Sequence, residues 1–99
     1  MSPSNAMLIL VSYDVPDDRR RTQLAHTLKD FGERVQYSVF ECRLGDEAQQ
    51  TLRERPARLI DPEEDSLRIY RLCKECDRLL EVLGTAKRKT IRISAFFDN

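Results

Sequence analysis

The sequence has no tryptophan, a single histidine and only three glycines. With His26 alone, no site built on two imidazoles can form, and its helical position among polar neighbours predicts a solvent-facing side chain. Long apolar runs are also missing. The run that opens at Met7 ends at Val11, far short of the roughly 20 residues of a membrane-spanning helix, so a soluble chain with no membrane partner is expected. Cysteine occurs three times, at Cys42, Cys73 and Cys76. An odd number without a signal peptide points to free thiols in a reducing cytoplasm. No P-loop, dinucleotide fingerprint or zincin motif occurs. Net charge is absent too: 17 basic and 17 acidic residues cancel, so attraction to a polyanion has to come from local patches.

Such patches exist. Arg19-Arg20-Arg21 and Lys87-Arg88-Lys89 with Arg92 are basic, whereas residues 46–65 carry seven of the 17 acids. This segregation suits a one-sided polyanion footprint, with solvated charged faces as the plainer alternative. A 99-residue chain supports one core, and 40% hydrophobic with 34% charged residues is a globular composition. Residues 1–6, Met-Ser-Pro-Ser-Asn-Ala, read as a cloning remnant before a single domain over residues 7–99.

Residues 8–15 are almost continuously apolar and β-rich, as in a central strand covered on both faces. Pro16-Asp17-Asp18 then supplies a turn and cap, and Leu24, Leu28 and Phe31 recur at helical spacing up to Gly32. Residues 34–43 return to β character, long enough for two strands around a bend near residues 36–38. Asp46 is expected to cap a second helix with Ala48, Leu52, Leu59 and Ile60 as its stripe, kinked or divided at Pro56. Residues 66–72 alternate as a strand. A turn over residues 73–77, a strand-like run over 79–83 and, after Gly84, a β-rich tail over 84–99 follow. The order βαββαβ predicts an α+β, ferredoxin-like fold with an extra C-terminal β segment. One sheet face is left free, and a second copy packed face to face would cover it.

Asp14 is the strongest chemical candidate from the residues alone. A carboxylate at the carboxyl end of a buried strand, directly before a helix, sits where ligands approach open sheets, although capping the following turn is the bland alternative. One carboxylate is a poor magnesium site, because that ion prefers six oxygens in near-octahedral array. Arg21 falls near the Leu24, Ala25 and Leu28 face at about 100° per residue. From there it either reaches a phosphate or lays its stem over the core edge. Cys73-Lys74-Glu75-Cys76 has the spacing of half a zinc site without a second half, and a plain turn is the better reading.

The combination of Tyr13-Asp14-Val15, a polar turn, Arg20-Arg21 opening a helix, and Arg34-Val35-Gln36-Tyr37-Ser38-Val39-Phe40-Glu41 resembles the family of CRISPR-associated protein two. Asp65-Ser66-Leu67-Arg68-Ile69-Tyr70 is similar to the same family's strand after the second helix, so the resemblance covers residues 7 to about 83. It implies a ferredoxin-like homodimer that bridges the CRISPR integrase, CRISPR-associated protein one, and holds protospacer DNA. It further implies that Asp14 from two chains holds one Mg2+ as catalytic and metal residue for cutting RNA or DNA.

Arg20, Arg21, Arg34, Lys87 and Arg88 are the expected nucleic-acid contacts. Arg34 and Phe40 match positions implicated in nuclease-competent members, with Tyr13 and Ser38 nearby, against a plainer role as dimer-interface strand residues. The tail over residues 87–97 reads as an edge strand for the other subunit or a partner. Expected functions, in order, are a DNA-binding adaptor in CRISPR adaptation, a Mg2+-dependent endonuclease, and a toxin-type messenger-RNA endoribonuclease similar to virulence-associated protein D.

Overall fold

A computed structural model describes residues 6–84. The expected tail strand, with Lys87 and Arg88, and the first five residues lie outside the described residues. Four strands form one antiparallel sheet in the order β2-β3-β1-β4: β1 (Met7–Asp14), β2 (Gly32–Gln36), β3 (Val39–Leu44) and β4 (Ser66–Leu72). Helices α1 (Asp18–Leu28) and α2 (Asp46–Glu54) complete the βαββαβ order, and a short helix α3 (Lys74–Arg78) follows. This is the expected ferredoxin-like arrangement, with β1 central between β3 and β4.

Side chains alternate across a strand, so β1 divides its residues between two faces. Ile9, Val11 and Tyr13 enter the main core with Phe40 and Cys42 of β3 and with Leu24, Ala25, Leu28 and Leu52 of the helices. Phe40 is fully buried, and replacing so large a core side chain with alanine typically costs about 3–5 kcal/mol. Leu8, Leu10, Ser12 and Asp14 face the other way. In register beside them stand Arg43, Glu41 and Val39 of β3 and Leu72, Tyr70, Arg68 and Ser66 of β4.

That second face is less bare than expected. α3 packs on β1 and β4, and Arg43 donates to both carboxylate oxygens of Asp77 at 2.6 and 3.2 Å, pinning α3 to the sheet. Residues 80–83 then line a groove of about 400 Å³ with Leu10, Val35, Gln36, Val39 and Glu41.

Several local expectations need correction. α1 ends at Leu28, before Phe31, and Gly32 opens β2 rather than stopping the helix. Gly32 is needed there because an added Cβ would collide with the carbonyl oxygen of Glu41 and stand 2.8 Å from Cys42 Cα, both backbone atoms of the paired strand. Gly45, not Asp46, occupies the α2 N-cap, with no side-chain capping bond. Pro56 does divide the segment, opening a 3-10 turn over Pro56–Arg58, so Leu59 and Ile60 fall outside the helix. The expected turn over 73–77 is largely helical, its first turn closed by the Asp77 N–H on the Cys73 carbonyl at 2.9 Å, and residues 79–83 form no strand.

One ion pair ties α1 to the loop before β4. Arg20 donates through Nε (2.8 Å) and a terminal nitrogen (3.2 Å) to the buried Asp65 carboxylate, and the Asp61 N–H adds a third bond at 2.8 Å. The Arg20 hydrogen bond is the main reason the Asp65 pKa lies below the usual carboxylate value, with the Asp61 amide acting in the same direction against desolvation. A depressed folded-state pKa gives stability that is present above the unfolded value and lost as pH falls through the folded one.

Asp65→Asn is therefore expected to be less stable than the parent at neutral pH, the gap closing below about pH 4. Urea unfolding across pH measures this; a gap that stays constant on acidification contradicts it. Gly32→Ala is expected to lower stability by about 2–3 kcal/mol, since only backbone could yield. A urea midpoint equal to the parent's would refute the close approach.

Candidate nucleic-acid and metal site

β1 delivers two neighbouring residues to opposite sides of the sheet end. On the open face, Asp14 is exposed and paired in register with Ser66, and a shallow depression of about 240 Å³ gathers Ser12, Asp14, Ser66, Arg68 and Tyr70. The guanidinium of Arg68 lies 3.4 Å from the Tyr70 hydroxyl, a weak hydrogen bond that leaves its remaining donors for another acceptor. These side chains bring together one carboxylate, three hydroxyls and one cation.

On the helix-covered side, Tyr13 borders a second concavity of about 310 Å³. Arg21, His26, Lys29 and Arg34 line it with Thr22 and Tyr37, and no carboxylate is among its lining residues. Arg21 reaches it from the first turn of α1. Its guanidinium donates to the Val15 carbonyl at 2.9 Å and the Pro16 carbonyl at 3.3 Å and pairs with Asp18, clasping the chain directly after Asp14. Asp17 caps the helix by accepting from Arg20 N–H at 2.8 Å, as the Pro16-Asp17-Asp18 turn predicts.

Arg34 comes from β2, its guanidinium carbon 5.6 Å from the Phe40 ring centroid and 6.0 Å from that of Tyr37. Tyr13 and Phe40 stand 6.3 Å apart, the Tyr13 N–H donates to the Ser38 carbonyl at 3.1 Å, and the Tyr13 hydroxyl donates to the Tyr37 carbonyl at 3.4 Å. The strand-pair residues named from sequence therefore do converge. They converge on the helix side as a cation–aromatic platform, so Phe40 is core rather than dimer interface.

Arg20 stands apart from both concavities. Its guanidinium is held by Asp65 and Glu64, and serving a phosphate would leave the buried Asp65 unpaired. His26, expected to face solvent without a role, is exposed as expected but lines the basic concavity. Arg68, Lys29 and Ser66 were missed from sequence. Only the strand period applied to residues 66–72 could have set Arg68 beside Ser12 and Asp14.

A metal must be judged against this geometry. Among the described residues no group of three or more His, Cys, Asp or Glu side chains is placed to hold an ion. Asp14 alone supplies one hard oxygen donor, which fits Mg2+ chemistry only when a second acid joins it.

The model of the family described as CRISPR associated protein Cas2 matches residues 7–79. This chain belongs to the Cas2 family. It is 47% identical over 85 residues to CRISPR-associated endonuclease Cas2 2 of Thermus thermophilus, spanning 86% of this chain and 90% of that one. It is 48% identical over 79 residues to CRISPR-associated endoribonuclease Cas2 1 of Chloroflexus aurantiacus, spanning 79% and 85%. Among solved structures, Streptococcus pyogenes Cas2 superposes with a TM-score of 0.69 at 37% identity, covering 79% of this chain and all of that one. A chain of a partial Cas6-RT-Cas1–Cas2 complex superposes at 0.67 with 28% identity, covering 78% and 90%. Family membership thus agrees with the strand order and with the sequence resemblance.

Proposed function

We propose that this Cas2-family chain acts as a homodimer in CRISPR adaptation, binding nucleic acid and bridging the Cas1 integrase. We further propose that paired Asp14 residues give it Mg2+-dependent endonuclease activity on RNA or DNA. The observation that carries the reading is the exposed Asp14 carboxylate at the strand end of the free sheet face, beside Ser12, Ser66 and Arg68. The names of its relatives, an endonuclease and an endoribonuclease, support the activity. The likeness to a chain of a Cas1–Cas2 complex supports the partner.

A second copy is favoured by what the free face exposes. Tyr70 beside Leu10 is 47% exposed and Leu83, lining the groove with Leu10, is 83% exposed, and large apolar side chains exposed together mark an interaction surface. The two-fold contact would involve the sheet and the chain after α3. A closed symmetric dimer that brings two Asp14 residues together supplies the second acid a single chain lacks.

Mg2+ held there would polarise a phosphodiester oxygen and lower the pKa of a bound water. The chain's own residues do the remainder. Asp14 would hold the ion, and Arg68, beside it, would hold a phosphate as a charge-assisted donor. Arg21, Lys29 and Arg34 take backbone phosphates in the basic concavity, which positions a strand without reading its sequence. No specific observation favours the toxin-type alternative.

Asp14→Ala is expected to lower Mg2+-dependent cleavage of RNA or duplex DNA by about 100-fold or more while nucleic-acid binding and Cas1 assembly persist. Full cutting by the variant defeats the catalytic assignment. Intact binding with no cutting by the parent leaves the adaptor role and removes the nuclease. Arg34→Ala should weaken binding across all sequences and reduce the slope of log affinity against log salt by about one. Arg20→Ala should leave that slope unchanged and lower stability instead. Equal slopes for Arg34→Ala and parent would take the basic concavity out of the nucleic-acid footprint.

A further inference from the structure

The proposed function uses none of the three cysteines, and they fall into two classes. Cys42 is buried in β3, where desolvation, reinforced by the Glu41 charge, pushes its thiol up to about 11. Cys73 and Cys76 are both exposed. They flank a single turn closed by the bond from Asp77 N–H to the Cys73 carbonyl, and the two hydrogen bonds from Arg43 to Asp77 fix that turn against the sheet. Cys73 is the N-cap of α3 and Cys76 its third residue, so both side chains leave the same anchored first turn, where N-cap and third-residue groups reach each other.

Their surroundings are not equivalent. The nearby Cys76 backbone amide, Cys76 thiol and Glu75 amide, in that order of effect, favour the Cys73 thiolate and lower its pKa. Cys76 has its pKa raised by its neighbour Cys73. One sulfur is thus prepared to attack and the other to follow.

We propose that Cys73 and Cys76 form a redox-active dithiol site whose substrate class is low-molecular-weight disulfides. The Cys73 thiolate attacks one sulfur of a disulfide RSSR, forming a mixed disulfide and expelling RS−, which takes up a proton. Cys76 then loses its proton, and its sulfur attacks Cys73, expelling the second RS−. Overall, two protein thiols are oxidised to one intramolecular disulfide and RSSR is reduced to two RSH. This site is independent of the nuclease reading, since neither sulfur lines the Asp14 depression or the basic concavity.

The test treats the reduced full chain with oxidised glutathione at neutral pH, followed by alkylation and tryptic digestion. Cleavage after Arg71, Lys74 and Arg78 should yield Leu72-Cys73-Lys74 linked to Glu75-Cys76-Asp77-Arg78, with Cys42 still reduced. Cys76→Ser should stop at a glutathione adduct on Cys73. Cys73→Ser should react several-fold more slowly than the parent, and the parent several-fold faster folded than in urea. Protection of Cys42 in each variant reports that the core is intact. Adducts on both residues with no internal link overturn the proposal, and so does a rate unchanged by unfolding or by Cys73→Ser.

Discussion

Tyr13 and Asp14 are neighbours in the chain that cannot face the same way, and this two-residue period of β1 is the constraint on which the molecule's layout depends. β1 is bonded on both edges, to β3 and β4, so its register is fixed twice. Shifting it by one residue would put Asp14 into the core and Tyr13 into water, reversing every pairing of apolar side chains with the helices. The core therefore decides where the carboxylate stands.

Electrostatics then separate structural from available charges. Arg20 and Arg43 are held by Asp65 and Asp77, which tie α1 to the loop before β4 and α3 to the sheet. Arg34 rests on aromatic rings, and Arg68 touches only a tyrosine hydroxyl in the described contacts, so neither is tied to a carboxylate there. A chain of zero net charge can present cations to a polyanion in this way, by pairing some of its arginines internally and leaving others beside aromatic or hydroxyl groups.

Much of this was legible from residue pattern. The continuous apolar run of residues 8–15 identified a central strand, and Asp17 and Ser66 fell where the cap and the strand were expected. Three adjacent arginines, by contrast, look alike in sequence. Only the fold sends Arg20 to Asp65, 45 positions away, and Arg21 to the carbonyls of Val15 and Pro16. Residues 73–77 look like a turn in sequence because a five-residue helix has too few positions to show periodicity, and its anchor, Arg43, lies on another strand. Asp46 looked like a cap by residue type, yet Gly45 holds the extended conformation that a cap requires.

The central claim is that two chains combine their Asp14 carboxylates into one cation site. Titration of the purified chain with Mn2+, a paramagnetic stand-in for Mg2+, followed by electron paramagnetic resonance, tests it most directly. The account predicts one tightly held ion for every two chains and no tightly held ion in Asp14→Asn. An ion bound by each chain separately, or a stoichiometry unaffected by Asp14→Asn, would contradict it.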